Sequence, residues 1–154
     1  MFSESRIRLK ELEREERYVF HGSGMRIAKL EPRQAITIVD GKMVDDGPPA
    51  IYASSLLDYA IFMALLNKEN CPSGARSSCS YENGELKFGA SQATLDQMTD
   101  RSIGHVHVLR RSDFTLRGGC EWFATSALEP VEVIEVRWND FDCPISIMEQ
   151  HMLE

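Results

Sequence analysis

Two long stretches of the chain carry hydrophobic residues at helical spacing. The first is residues 4–16, with apolar positions at Ile7, Leu9 and Leu12 and with Ser3 or Ser5 as a candidate N-cap. The second is SLLDYAIFMALLNKEN, which begins after a candidate cap at Ser54 or Ser55. We predict a helix at each place, and shorter helices over residues 24–30 and 93–101.

Other segments have the β-branched and alternating character of strands, and two of them contain tight-turn signals. Asp40-Gly41 interrupts AITIVDGKMV, and Asn83-Gly84 interrupts YENGELKFGA, so each segment predicts a β-hairpin. The remaining predicted strands are YVFH, AIYAS, HVHVL, CEWFAT and VEVIEVRW. A polar loop is expected over residues 68–80. The order of elements favours one α+β domain over residues 1–154 with largely antiparallel sheets.

Composition narrows the functional classes. The net charge of −7 argues against a reader of duplex nucleic acid, because such proteins carry a basic face. No apolar run reaches the length of about 18 residues that a membrane helix needs, and the charged N-terminus lacks an apolar signal core, so we expect a cytoplasmic protein. The four cysteines form no CxxC pair and are expected to be reduced thiols.

Three chemically capable side chains stand where the pattern predicts strand ends. His21 lies in FHGSG, Tyr52 in AIYAS between a Pro-Pro turn and a helix start, and Glu121 in GGCEWFAT after a Gly-Gly turn. Each alone has a simple structural interpretation: a surface histidine, a tyrosine at the rim of the core, and a charge that marks an edge strand. Their order along the chain gives a further interpretation.

The series YVFHGSG…LEPR…AIYASSLLDYAIFMALL…CEWFATSALEPVEVIEV resembles the ADP-ribosyltransferase fold in its His-Tyr-Glu branch. That branch includes the diphtheria-toxin-like enzymes and the poly(ADP-ribose) polymerases. Residues 18–24, 50–66 and 120–137 carry the resemblance. It implies split antiparallel sheets with a few flanking helices, NAD as the substrate, and transfer of ADP-ribose to an acceptor that could be a protein, a nucleic acid or a small molecule.

The resemblance also implies a role for each matching residue. Glu121 would be the catalytic carboxylate, which stabilises an oxocarbenium-like transition state when the nicotinamide–ribose bond breaks. His21 would orient a ribose, and the backbone of Gly22 would pair with the nicotinamide amide, with Ser23 as a further hydroxyl contact. Tyr52 would stack on the nicotinamide ring.

Three details of the family pattern stay open. A second aromatic residue is expected on the following helix, and either Tyr59 or Phe62 could supply it. Arg33 in LEPR could contact the diphosphate or lie in a solvated loop. If the alignment is shifted, the catalytic carboxylate could instead be one of three later residues, Glu129, Glu132 or Glu135.

Rival functions follow from the same residues. An enzyme similar to tRNA 2′-phosphotransferases would need a basic RNA surface, against which the net charge speaks. A non-catalytic domain of the same fold could bind a nucleotide or a partner without turnover. His105 and His107 alternate on one predicted strand, but no third ligand at a plausible position accompanies them, so we expect no metal site.

Overall fold

The computed structural model describes residues 3–34, 36–45 and 47–148. These ranges contain three α-helices: α1 (Glu4–Arg14), α2 (Leu57–Leu65) and α3 (Gln92–Leu95). The strands are β1 (Tyr18–Ser23), β2 (Ile36–Val39), β3 (Lys42–Asp45), β4 (Ile51–Ser54), β5 (Ser77–Glu82), β6 (Glu85–Ala90), β7 (Ile103–Arg110), β8 (Thr115–Gly118), β9 (Glu121–Ala124), β10 (Glu132–Arg137) and β11 (Ile145–Ile147).

The strands form three sheets, and most neighbours in them are antiparallel. The largest sheet has six strands in the order β10-β7-β1-β4-β9-β8. A second sheet has the order β11-β6-β5, in which β11 runs parallel to β6, and β2 pairs with β3 as a separate hairpin. The predicted α+β class with antiparallel sheets is therefore confirmed.

Both predicted hairpins form, and their turn residues explain why. Asp40 and Gly41 have φ of 51° and 76°, and Asn83 and Gly84 have φ of 52° and 80°. Consecutive positive φ values are those of the two-residue turns that match the twist of antiparallel strands. The turn residues thus set the register of both hairpins.

The two long helices begin by different means. Ser3 caps α1, since its hydroxyl accepts a hydrogen bond from the backbone N–H of Arg6. The prediction of a serine cap for α2 is wrong: the N-cap is Leu56, and the backbone N–H of Leu57 donates to the carboxylate of Glu13 at 2.6 Å. A residue of α1 therefore caps α2, and local sequence does not carry that information.

Several other boundaries differ from the prediction. Residues 24–30 form bends rather than a helix, and the helix predicted over 93–101 is the single turn α3. Strand β5 begins inside the predicted loop 68–80, and β8 and β11 were not predicted. The residues of β5 and β8 are mostly exposed, so their sequences lack the apolar alternation by which buried strands are recognised.

The six-stranded sheet is covered on both faces. On one face Phe20 packs with residues of α1, α2 and the three-stranded sheet in the main core. On the other face Val19 packs with a smaller cluster that includes Ile51 and Leu109. Because adjacent residues of a strand point to opposite faces, β1 is buried on both sides as the sequence YVF suggests.

Helix α2 lies unusually close to this sheet, at two glycines. A Cβ atom at Gly22 would lie 2.0 Å from the carbonyl oxygen of Ala60, and one at Gly104 would lie 2.1 Å from that of Ala64. Backbone atoms cannot yield as a flexible side chain can. The lack of a side chain at Gly22 of β1 and at Gly104 of β7 therefore allows this short distance between helix and sheet.

We expect Gly104→Ala to lower the free energy of unfolding by about 3 kcal/mol, because the added methyl group forces α2 away from β7. Urea denaturation measures the change. Ser80→Ala, on an exposed position of β5, is the control and should change the free energy of unfolding by about 0.5 kcal/mol or less. Equal stability of the two variants would contradict the close packing.

Candidate active site

The pairing of β1 with β4 stops after one position in the middle of the large sheet. Phe20 is in register with Ser54, and no further residue pair joins these two strands, both of which are fully described. One step farther along, the carbonyl of Tyr52 accepts a hydrogen bond of 2.7 Å from Nδ1 of His21. A side chain thus takes the place of a backbone partner, and the strands separate beyond it.

The backbone of Gly22 points into this separation. The N–H of Arg111 donates to the carbonyl of Arg17, one residue before β1. In the register of β1 with β7, the backbone groups of the odd-numbered residues of β1 therefore point towards β7. Backbone groups alternate in direction along a strand. The N–H and C=O of Phe20 and Gly22 therefore point towards β4, where Phe20 meets Ser54 and Gly22 faces the gap beside Tyr52.

The hydrogen bond to Tyr52 fixes the protonation of His21. A carbonyl oxygen only accepts, so Nδ1 carries the proton and donates it. Burial lowers the pKa of His21, the bond to Tyr52 opposes this effect, and the positive charge of Arg33 adds to it. The imidazole is thus neutral at pH 7, and its Nε2 is an acceptor.

A second histidine, His107, is hydrogen-bonded to the backbone of His21. It is fully buried and lies opposite His21 on β7, with the two ring centroids 5.9 Å apart. Its Nε2 accepts from the backbone N–H of Ile27 at 2.9 Å, so Nδ1 must be the protonated nitrogen, which donates to the carbonyl of His21 at 3.1 Å. Both ring nitrogens are used by the backbone, so His107 ties β1 to the segment that follows it.

A cavity opens at the separation of β1 and β4, and we call it the inner cavity. Its volume is about 140 Å³. Its lining is formed by the following residues of β1, β4, α2 and the start of β9: Phe20, His21, Gly22, Tyr52, Ala53, Ser54, Tyr59, Ala60, Met63, Cys120 and Glu121. His21, Tyr52 and Glu121, the three residues that the sequence singled out, therefore line one cavity.

Glu121 reaches the inner cavity as the first residue of β9. It is in register with Ser54 of β4, which in turn is in register with Phe20 of β1. Its side chain is 46% exposed, and its carboxylate lies 3.8 Å from the guanidinium of Arg117. Glu121 is thus half-buried at the mouth of the cavity, accessible to a ligand.

The alternative carboxylates do not reach this cavity. Glu132 and Glu135 lie on β10, which β7, β1 and β4 separate from β9, and they face Arg8 and Arg137. Glu129 is exposed and is not among the residues that line the inner cavity. Of the acidic residues considered from the sequence, Glu121 is the one beside His21 and Tyr52.

The structure separates the two aromatic candidates on α2. Tyr59 lines the inner cavity and is half-buried; burial raises the pKa of its hydroxyl, and the nearby negative charge of Glu121 adds to the rise. Phe62 is 1% exposed and packs on Phe88 with ring centroids 4.8 Å apart. The expectation that Phe62 could contact a ligand is therefore wrong, because it is a core residue.

The contact with α2 explains why position 22 is a glycine. Its missing side chain would collide with α2 rather than with a ligand. Its backbone still faces the gap between β1 and β4. Because Gly22 has no side chain, α2 can also lie close enough to β1 for Tyr59 and Ala60 to line the inner cavity. The helix contact and the shape of the inner cavity thus depend on the same glycine.

A second cavity, which we call the outer cavity, adjoins the first. Its volume is about 300 Å³, and it shares His21, Gly22 and Tyr52 with the inner cavity. Its other lining residues come from the end of β1, the segment that follows it, and the start of β4 with the residue before it: Ser23, Ile27, Lys29, Leu30, Glu31, Arg33, Gln34, Ala50 and Ile51. Ser23 and Arg33, two further residues suggested by the sequence, therefore lie here.

The hydroxyl of Ser23 and the backbone of Arg33 are held in place locally. Ser23 Oγ accepts from the N–H of Met25, and the backbone of Arg33 exchanges two hydrogen bonds with Ala50. The side chain of Arg33 is exposed, with Lys29 on the same wall. The outer cavity thus offers two cations beside an apolar floor of Leu30.

Sequence reasoning missed two residues of this region. Arg117 has its guanidinium carbon 5.3 Å from the centre of the Tyr52 ring. It could not be found from the sequence, because its exposed edge strand lacks the apolar alternation that identifies a strand. His107 was considered only as a metal ligand, although its place among alternating apolar residues was a signal of burial. Burial lowers the pKa of His107 to about 4.

Comparisons of the chain with protein-family models, with curated proteins and with solved structures give no match. Within residues 3–34, 36–45 and 47–148, no group of three or more His, Cys, Asp or Glu side chains is arranged to hold a metal ion. In the same ranges, no helix has the length and apolar character that crossing a membrane requires.

The buried His107 should make stability depend on pH. Its pKa of about 4 lies below the ordinary 6.5, so the unfolded chain binds the additional proton between these values. Stability is therefore full above pH 6.5 and falls as the pH drops towards 4. The His107 contribution should be about 2 kcal/mol between pH 7 and pH 5.

Denaturation of wild type and His107→Gln at both pH values measures this effect. Glutamine can still accept from Ile27 but does not titrate, so the drop in the variant should be smaller by that amount. Equal drops in the two proteins would show that His107 does not titrate as a buried neutral side chain.

Tyr59 and Phe62 should differ in their effect on stability. Phe62→Ala leaves a cavity in the core and should cost about 3–5 kcal/mol, whereas Tyr59→Ala removes a cavity-wall side chain and should cost less than about half of that. Thermal or urea unfolding of both variants checks the difference. A larger loss for Tyr59→Ala would place Tyr59 in the core.

Proposed function

We propose that this protein binds NAD across the inner and outer cavities and is an ADP-ribosyltransferase with an ADP-ribosyltransferase-like fold. One observation supports the proposal above the others: His21, Tyr52 and Glu121 come from three distant segments and line a single cavity. Each carries the chemical group that NAD cleavage needs at that place. They are also the three residues on which the resemblance of the sequence rests.

The nicotinamide end of NAD fits the inner cavity. Tyr52 and Tyr59 supply two aromatic side chains in its lining, suited to a flat ring. The N–H and C=O of Gly22 face the same gap and offer a donor and an acceptor, the pair that a carboxamide requires. These groups would hold the ring and define its orientation.

The rest of the dinucleotide fits the outer cavity. Nε2 of His21, as an acceptor, can take a hydrogen bond from a ribose hydroxyl. Arg33 and Lys29 offer positive charge to a diphosphate, and Leu30 and Ile51 offer apolar surface to an adenine. Since the two cavities share His21, Gly22 and Tyr52, one extended ligand can occupy both.

Glu121 would supply the catalytic effect. As the bond between ribose C1′ and the nicotinamide nitrogen breaks, its electron pair leaves with neutral nicotinamide, and positive charge develops on the ribose. A carboxylate at the cavity mouth stabilises that charge. The acceptor then bonds to C1′ through its nucleophilic atom and loses a proton, to Glu121 or to water.

Incubation with NAD, followed by measurement of released nicotinamide, tests the proposal. The Glu121→Gln variant should release nicotinamide at least about a hundredfold more slowly, because the amide keeps the shape and removes the charge. Its affinity for NAD, measured by calorimetry, should change much less. Glu135→Gln, an exposed change on β10, is the matched control and should behave as wild type.

Two outcomes would contradict the proposal. Absence of NAD binding to wild type would exclude both the site and the activity. Binding with no nicotinamide release by wild type, including in the presence of protein or RNA acceptors, would leave a non-catalytic nucleotide-binding domain instead.

A further inference from the structure

Arg117 lies next to two residues that line the inner cavity. Its guanidinium carbon lies 5.3 Å from the centre of the Tyr52 ring, and its Nη1 lies 3.8 Å from Oε1 of Glu121. Tyr52 and Glu121 both line the inner cavity, to which Arg117 is an added neighbour. A planar cation therefore occupies the space between an aromatic ring and a carboxylate.

We propose that Tyr52 and Glu121 attract a planar, delocalised cation. In this structure the guanidinium of Arg117, beside the inner cavity, is the cation that contacts them, and the pyridinium ring of NAD inside the cavity competes with Arg117 for both side chains. The inference rests on the proposed function and adds to it the charge of the group that is recognised. It also makes Arg117 a specificity-determining residue of the inner cavity.

The chemistry of the two partners favours such a ligand. The face of an aromatic ring attracts a cation, and planar cations can also stack on it. A carboxylate at one side adds a direct electrostatic attraction. The nicotinamide ring of NAD carries one positive charge spread over a planar ring, as guanidinium spreads its charge over a planar fork. Neutral nicotinamide, the leaving product, lacks that charge, so the site should hold substrate better than product.

The backbone around Arg117 explains how its side chain reaches this place. The register between β8 and β9 shifts between Leu116 and Gly118, so Arg117 lies at a β-bulge. Bulges redirect side chains relative to a regular strand. Strand β8 is at the edge of the sheet and all its residues are exposed. Arg117 can therefore move without disturbing the buried core.

The ion pair opposes displacement only weakly. The side chains of Arg117 and Glu121 are 40% and 46% exposed, and their distance of 3.8 Å is long for an ion pair. Exposed pairs of this kind contribute little, because water screens the charges. A ligand cation that enters from the inner cavity can thus compete for both Tyr52 and Glu121.

Titration with small cations tests the inference without the reaction. The probes are 1-methylnicotinamide, which carries the pyridinium charge, and nicotinamide, its neutral counterpart, with binding followed by NMR of the full chain. Wild type should prefer the cation. Arg117→Ala should tighten the binding of 1-methylnicotinamide by about two- to tenfold, the range expected for loss of a competing exposed contact, and should change that of nicotinamide less.

Three further variants separate the explanations. Arg110→Ala removes the same charge from an exposed residue at the end of β7 and should leave the affinity for 1-methylnicotinamide unchanged. Arg117→Lys keeps the charge but loses the planar group, so it should give a smaller gain than alanine. This variant also decides the matter if Arg117→Ala does not fold. Glu121→Gln should abolish the preference for the cation.

The inference is overturned if wild type binds nicotinamide as tightly as 1-methylnicotinamide, if neither Arg117 variant tightens binding of the cation, or if Arg110→Ala produces the same gain. Methylguanidinium binding more tightly than 1-methylnicotinamide would assign the site to an arginine of an acceptor instead. A preference for 1-methylnicotinamide in a protein that releases no nicotinamide from NAD would refute the proposed function and keep the cation site. Nicotinamide release from NAD by a protein without that preference would keep the proposed function and refute the cation site.

Discussion

The close contact between helix α2 and the glycines of β1 and β7 is the constraint on which the site depends. Because Gly22 has no side chain, the backbone of Ala60 lies against β1, and the same helix face brings Tyr59 and Met63 to the inner cavity. A bulkier residue at position 22 would move this wall outward. Core packing and the width of the cavity are thus set by one contact, and selection for either would preserve the other.

Two neutral histidines donate hydrogen bonds to backbone carbonyls at the same point of the sheet. His21 uses its one proton on the carbonyl of Tyr52, and His107 uses its proton on the carbonyl of His21. The bond from His21 satisfies the carbonyl of Tyr52, which faces the opening and would be costly to leave unpaired. The opening between β1 and β4 is therefore built into the hydrogen bonding of the sheet, and the backbone of Gly22 remains directed into that opening.

The sequence predicted what local patterns determine and missed what distant contacts determine. The two hairpins follow from Asp40-Gly41 and Asn83-Gly84, because these turn residues act alone. The start of α2 could not be predicted, because its cap is Glu13 of another helix. In the candidate site, His21, Tyr52 and Glu121 were found through their order along the chain. Choosing between Tyr59 and Phe62 requires knowing which face of α2 points to the core. The position of Arg117 depends on a β-bulge in an exposed strand, which has no apolar alternation to reveal it.

The central claim is that one dinucleotide spans the opening between β1 and β4, and the crystal structure of Glu121→Gln with NAD tests it most directly. We predict electron density for nicotinamide beside Tyr52 and Tyr59, with its carboxamide on the backbone of Gly22, and for the diphosphate near Arg33. NAD bound elsewhere on the molecule, or crystals grown at saturating NAD that show an unliganded opening, would contradict the account.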